Sequence, residues 1–281
     1  MAGNTTSINS ELFQNLLVQS QYALYENSIA RAVATVYDYP VGAGKTVSVP
    51  VWAGIQSSKP GEGVAPASVD TNTTSKTINL AEHVAFAEVT DFLRDSAQEN
   101  VIASLADQMG MALAEGLDKE LIALFYDAAI TQTAGAGAGQ ELTAAQIMAA
   151  AAKIRANKYT GPLFAVLHPL QAYGLKAAMT ATNSYQAATN AGNRVLDQYF
   201  VGQLGGVTIL ESAHVDVDAN GDASGCVFAP GAFGVAQRGG VSMETQRNAA
   251  KRSTDVVETV VAGVGIIRPE LAVKIFTDGT I

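Results

Sequence analysis

One cysteine, Cys226, in 281 residues excludes an internal disulfide and fits a reducing compartment. A small buried side chain is the expected role for it. Cationic residues are scarce as well: 17 Lys and Arg stand against 26 Asp and Glu, for a formal net charge of −9 and a pI near 4.8. Tight nucleic-acid binding draws on counterion release by clustered Lys and Arg, so specific DNA recognition is not expected. Charged residues of both signs make up only 15% of the chain, against 48% hydrophobic. That is a low charge density for a free-standing protein, and much of the surface is expected to be buried in partners. No run approaches the ~18 apolar residues of a membrane span, and Met1 to Ser10 has neither the basic start nor the apolar run of a signal peptide. A soluble, unexported chain without membrane contact is the expectation.

Catalytic signatures are missing too. Gly44-Lys45-Thr46 invites a phosphate-loop reading, but that motif needs a glycine five residues before Gly44, where Tyr39 stands, and a strand follows instead of a helix. No Gly-x-Ser-x-Gly occurs. His83, His168 and His214 fall in an alternating strand, at a strand end and in a loop, without metal-ligand spacing. Asp216, Asp218, Asn220 and Gly221 match the first half of a calcium loop, yet its twelfth position, which should be Glu, is Val227. Asp216, Asp218, Asn220 and Asp222 remain weak metal candidates beside the simpler reading, an Asn-Gly turn. No catalytic residue, cofactor or enzyme activity is expected. Arg247, Lys251 and Arg252 form the one compact basic cluster, expected in a loop pairing with carboxylates of its own or another subunit.

What is present is organised around a stretch from Asp95 to about Asp127. Ser96 and Glu99 make a capping box that opens a helix. Val101, Leu105, Met109, Leu113, Leu117, Leu121 and Phe125 then recur every fourth residue, so the apolar stripe drifts by roughly 40° per step and winds around the rod. Such a helix, about 45 Å long at its full extent, is packed by several elements in turn, as a spine.

Before it, Ser10 can cap a helix carrying Leu12, Phe13, Leu16 and Leu17. Asn27 to Tyr39 is ambiguous between helix and strand, and Pro40 stops either; the whole reads as an arm that packs on something else. Lys45 to Trp52 alternates with period two, with Pro50 marking an edge strand. Alternation resumes from Thr73 to Thr90 through Ile78, Leu80, Val84, Phe86 and Val89. Two strands around the polar loop 57–72 predict a long projecting hairpin with little core of its own.

After the spine, Thr131 to Gln140 reads as a flexible connection at a lobe boundary. Thr143 with Gln146 repeats the capping box and opens a helix to about Asn157. Leu163 to Leu167 is a short apolar strand, and Pro169 suits the first turn of a helix to Met179. Thr180 to Asn193 reads as a surface loop. Val207 to Leu210 and Cys226 to Ala229 are further short strands, making an α/β lobe. Val241 to Thr245, Asp255 to Ile267 and Leu271 to Phe276 complete a β tail expected to return to the spine.

An arm, a projecting hairpin, a spine helix, an α/β lobe and a β tail in this order resemble the HK97-fold major capsid proteins of tailed double-stranded DNA phages. The resemblance covers nearly the whole length. It is carried by Lys45-Thr-Val-Ser-Val-Pro-Val-Trp52 and Thr73 to Val89 as the hairpin called the E-loop, and by Val89-Thr-Asp-Phe92 leading into the spine. Phe228-Ala-Pro-Gly-Ala-Phe233 and Gly265-Ile-Ile-Arg-Pro-Glu-Leu271 carry it at the other end.

The resemblance implies an α+β fold with an N-terminal arm over 1–40, an E-loop region over 41–91, a peripheral domain over 92–141 and 240–281, and an axial domain over 142–239. It implies hexamers and pentamers closing into an icosahedral shell around double-stranded DNA, assembled in the host cytoplasm. Assembly contacts are expected from Leu12, Phe13, Trp52, Lys59, Glu62, Lys76, Arg247, Lys251 and Arg252. Because the arm starts almost at Met1, a separate scaffolding protein is expected, with a portal and room for a cement protein outside. Lys45, Lys59 and Lys76 could serve the covalent cross-link of some relatives, but no Asn partner is identified and none is expected. An encapsulin-like compartment enclosing a cargo enzyme and an unrelated soluble α/β enzyme are the alternatives. Repeated heterologous contacts that close into rings suit the low charge independently of the resemblance.

Overall fold

The structure, a computed structural model, describes residues 28–40, 44–52, 73–92, 101–135, 137–181 and 202–280, with positions 18, 20, 42, 57, 59, 61–63 and 65. The Ser96 capping box and the Ser10 helix with Leu12, Phe13, Leu16 and Leu17 lie outside the described residues, as do most of the 57–72 loop and 182–193. The architecture is α+β, as expected.

Two long strands form its centre: β9 (Phe233–Asn248) and β10 (Ser253–Ile266) run antiparallel from Ser253↔Asn248 to Ile266↔Phe233. The register slips between Thr259 and Val261, opposite Gly239, whose φ of +72° suits a residue without a Cβ. β1 (Thr35–Tyr39) joins β9 in parallel, and β4 (Ala81–Thr90) joins β10 antiparallel, for the order β1-β9-β10-β4.

Asn27 to Tyr39 thus contains both readings: the short helix α1 (Ile29–Val33), then β1. Its last strand is stitched into the chain's own sheet beside β9. Asp118 secures the helix start, accepting the Ile29 N–H at 3.0 Å and the Ser28 hydroxyl at 3.1 Å.

The spine is α2 (Val101–Ala123), 23 residues and about 34 Å long, ending in a 3-10 turn Leu124–Tyr126. Along it the stripe changes partners. Met109, Leu113 and Leu117 pack with Ala85, Val241, Val256 and Val260 of the four-stranded sheet. Leu121 and Phe125 belong to the core of the α/β lobe, where Phe125 lies 5.7 Å from both Phe228 and Phe233. The drifting period predicts this hand-over, since a straight seam would have met one element only.

That lobe is a five-stranded sheet in the order β11-β8-β5-β7-β6, with β5 (Leu163–Leu167), β6 (Gln203–Leu204), β7 (Val207–Glu211), β8 (Asp222–Phe228) and β11 (Ala272–Asp278). Helix α3 (Ala144–Ala156) starts where expected: the Gln146 side chain accepts the Thr143 N–H at 2.9 Å. Its buried side, Ile147, Ala150, Ala151 and Ile154, joins the core of the sheet. Helix α4 (Pro169–Ala181) brings in Gln171, wholly buried, which donates to Ala223 O at 2.7 Å and Thr277 Oγ1 at 2.8 Å and accepts the His168 N–H. Gln171→Leu would strand these groups away from water, and an unsatisfied buried group costs about 1–3 kcal/mol. A loss of about 2 kcal/mol is expected from the denaturation midpoint; an unchanged midpoint would show that water replaces the amide.

Three expectations change. Thr73 to Thr90 is not one hairpin arm. It divides at Leu80 into β3 (Thr73–Asn79), paired with β2 (Thr46–Trp52), and β4, paired with β10. The alternation runs through both because each has one face on a core, but Leu80 lies between them and its N–H closes the hairpin base on Lys45 O at 2.8 Å. Thr131 to Gln140 is not a free connection. Ala134 N–H donates to Lys274 O, Lys274 N–H to Gln132 O and Asp278 N–H to Gln140 O, laying the segment along β11. Finally, the tail does not return as a unit: β10 packs under the spine, while β11 crosses to pair with β8. The strand expected at Cys226 to Ala229 begins earlier, at Asp222, for the same reason, because β11 pairs with all of it from Asp222 to Phe228.

Candidate functional site

Among the exposed large apolar side chains of the described residues, Trp52 stands on the hairpin and Val84 and Phe86 on the outer side of β4. In the hairpin, the inner side chains Val47, Val49 and Ile78 are buried with Ala236 and Ile267, and Tyr37 and Tyr39 pack against them. Beneath, β10 gives way: a Cβ on Gly263 would sit 2.0 Å from Asn79 O, and one on Gly265 2.8 Å from Ile78 Cγ1. Pro50, opposite Ser75, needs no ladder partner on the free side of a two-stranded ribbon. Farther out the cover ends. Trp52 is 61% exposed, and Lys59, Glu62 and Lys76 are exposed.

The second face was not legible. Val84 and Phe86 alternate with the buried Ala85, and an apolar pair on one side of a strand reads as core. The structure leaves them 55% and 63% exposed, with Phe92 at 82%. The face on the spine is the other one: Ala85 and Ala87 there are small, and His83 lies against Gly116, whose added Cβ would meet His83 Nδ1 at 3.0 Å. The signal available was that small side chains mark the side on which a helix comes close. Val257 and Thr259 stand opposite Phe86 and Val84 in the register, extending the outer face, and β4 is the last strand of its sheet.

The basic cluster sits at the β9–β10 turn and is engaged within the chain. Arg247 clasps Asp91 with both terminal nitrogens, at 3.0 and 2.7 Å; Arg252 Nε reaches Asp91 at 3.7 Å and Lys251 reaches Glu88 at 3.5 Å. The Ser253 hydroxyl, donating to Glu88 at 2.6 Å, holds that carboxyl below its ordinary value, and Lys251 adds to it against the opposing effect of desolvation. This matches the expected pairing with carboxylates and ties Asp91, just past the end of β4, to the β9–β10 turn.

Of the four cation candidates, Asp218 Oδ1 accepts the N–H groups of Asn220 and Asp222, and Asp222 Oδ1 that of Gly139 at 2.7 Å. The Asp216 carbonyl accepts the Tyr126 hydroxyl. Gly221, at φ +88°, closes the Asn-Gly turn. These carboxylates serve the turn, and among the described residues no group of three or more His, Cys, Asp and Glu is arranged to hold a metal. His83 reaches Glu120 at 3.4 Å, His214 reaches Glu115 at 3.8 Å, and His168 Nδ1 accepts the Leu170 N–H. Cys226 is buried, which pushes its thiol up to about 12 and leaves it unreactive as a nucleophile. No described helix is long and apolar enough to cross a membrane.

Leu12 and Phe13 lie outside the described residues. The remaining contact candidates separate into Trp52, Lys59, Glu62 and Lys76, exposed on and beyond the hairpin, and Arg247, Lys251 and Arg252, in the turn beside Asp91. The structure does not bring the two groups together within one chain.

A family model described as phage capsid protein matches residues 73–275. No curated protein matches. The fold is similar to the capsid structure of the cyanophage P-SCSP1u, with a TM-score of 0.66 at 19% identity, covering 88% of this chain and 87% of that one. It is similar to the capsid of Ralstonia phage GP4, with a TM-score of 0.67 at 14% identity over 88% and 87%. The acid-stable capsid of the Helicobacter pylori bacteriophage KHP30 gives 0.65 at 12% identity over 87% and 88%. At these identities the structural likeness is one of fold.

Proposed function

We propose, from the premise that this chain belongs to the phage capsid protein family by its match over residues 73–275, that it builds its shell from rings of six and of five copies around double-stranded DNA. The chain is a structural major capsid protein with an HK97-like fold, forms an icosahedral shell as a virion capsid component, and is not an enzyme. The compartment-shell and enzyme alternatives are not favoured by that family.

The observation that carries the ring reading is the hairpin β2–β3: seated at its base and uncovered beyond it, it offers a neighbouring copy the Trp52 surface. In this reading Lys59, Glu62 and Lys76 make contacts around Trp52, and Leu12 and Phe13 add contacts from the arm. Arg247, Lys251 and Arg252 act in assembly through the turn they stiffen. In this reading the domain limits implied by the resemblance are kept with two adjustments: 272–278, which pairs with β8, goes to the axial domain, and 35–39, which pairs with β9, goes to the peripheral one. The net charge of −9 supports an enclosed DNA that does not adhere to the wall. A separate scaffolding protein, a portal and assembly in the host cytoplasm belong to the same proposal.

Electron microscopy of the expressed protein tests it. Closed shells or rings of six and five copies are expected; a homogeneous monomer or dimer under every assembly condition, with scaffold added, would refute it. Trp52→Ala is expected to leave the fold of the subunit intact and to weaken each contact by about 2 kcal/mol, as for a central interface tryptophan. The check is the protein concentration at which shells appear, which should rise; an unchanged threshold would remove Trp52 from the interface.

A further inference from the structure

Glu258 lies near the middle of β10, opposite Ala85 of β4 and Met243 of β9. Its strand neighbours on the same face, Val256 and Val260, belong to the apolar cluster that Met109 and Leu113 of the spine complete. The side chain is wholly buried, as is Ser20 from the N-terminal segment. The Ser20 hydroxyl donates to Glu258 Oε2, and among the described residues Oε1 has no hydrogen-bond partner. An ionised carboxylate without water ordinarily requires two or three donors or a cation. Among the described residues it has one hydroxyl.

Among the described residues, the surrounding charges do not replace the missing donors. His83 of β4 shares the face but is engaged with Glu120 of the spine at 3.4 Å. Asp118 and Asp107 of the spine are acidic, and Asp118 is bonded to Ser28 and Ile29. Lys119 pairs with Glu115 at 2.6 Å. Glu88 and Glu244, opposite Asp255 and Val257, alternate onto the outer face.

We propose that Glu258 is a proton-dependent seat for the N-terminal segment: neutral, it holds Ser20 against the spine-covered face of the central sheet, and ionised, it releases that point. The driving force is the difference in solvation between the two states. With Ser20 seated the carboxyl is dry; with Ser20 gone, water reaches Oε2.

Burial pushes the Glu258 carboxyl above its ordinary value, against a smaller lowering by the Ser20 hydroxyl. The seated state therefore binds the proton more tightly than the released one. Its stabilisation is complete below the ordinary carboxylate value of 4.5 and is lost as pH rises through the raised one. Asp118 holds residues 28 and 29 independently of Glu258.

Hydrogen exchange of the Val18 and Ser20 amides in the full-length chain, corrected for intrinsic rates, tests the proposal. Between about pH 5 and about pH 9, protection at these two amides is expected to fall roughly tenfold per unit through the transition while that of β10 stays constant. In Glu258→Gln, which cannot ionise, protection should not vary with pH. Flat protection in the unaltered chain overturns the proposal without recourse to the variant. So does a Glu258→Gln chain that loses protection as the unaltered one does.

Discussion

Phe125→Ala is expected to cost the subunit about 3–5 kcal/mol, the range for removing a buried aromatic ring from a packed core. The ring is wholly buried at the end of the spine, 5.7 Å from the centroids of Phe228 and Phe233, which meet edge to face at 4.9 Å and 88°. Aromatic pairs of this kind add about 0.5–1.5 kcal/mol beyond area burial. The position gives the loss its consequence. Leu117, two turns earlier, packs on the central sheet, whereas Phe125 is in the core of the α/β lobe. The alanine therefore loosens the joint between them. Chemical denaturation should show a lower midpoint and a transition that broadens as the two parts lose their coupling. The half-exposed Tyr173, replaced by alanine, should change the midpoint by less than about 0.5 kcal/mol. A Phe125→Ala loss below about 1 kcal/mol would mean that the three rings are not the joint.

Gly263→Val should disable assembly more than it disables folding. Its first added carbon would fall 2.0 Å from Asn79 O and 3.0 Å from Asn79 C, both backbone atoms of β3 that no rotamer can move. Either β3 lifts from β10 or β10 bends away. Overpacking of this kind costs about 1–3 kcal/mol, and we expect about 3 because backbone must move. Lifting β3 uncovers Val47, Val49 and Ile78 and re-aims Trp52. The expected result is a folded subunit with reduced stability, retained far-ultraviolet dichroism and no closed shells by electron microscopy. Shells of normal size at normal protein concentration would show that the approach of hairpin to sheet does not set the contact.

Local chemistry made several elements readable in advance. Thr143 and Gln146 open α3 because a helix start needs partners for its own first N–H groups, and both residues lie within that turn. Leu163–Leu167 is a strand buried at every position but Phe164, as its unbroken apolar run leads one to expect. Asn220-Gly221 turns because a glycine at φ +88° carries no steric penalty. The spine was readable for a further reason: its stripe recurs every fourth residue, and the drift that follows is a property of the helix itself.

Other features depend on what a segment meets. Val84 and Phe86 alternate as well as Ile78 does, yet Ile78 is buried and they are exposed. Period two tells which side chains share a face; it does not tell which face the core takes. Thr35–Tyr39 pairs with Gly234–Arg238, and Ala272–Asp278 with Asp222–Phe228. A partner that far along the chain, or on another branch of the fold, leaves no mark on local composition. Glu258 shows the same limit: alternation places it on the face of Val256 and Val260, but that this face lies under the spine is decided by the tertiary structure, and there it is buried.

By itself, the sequence determined the helical spine, the capped helix after it, the short apolar strands and the capsid-like order of parts. Each of these rests on interactions between residues a few positions apart. Only the tertiary structure decided that the extended segment from Thr73 parts company with itself at Leu80, that β11 leaves the spine for the α/β lobe, and that the outer face of β4 stays open. Those outcomes follow from competition between surfaces distant in sequence, and burial is awarded to whichever pair of faces fits most closely.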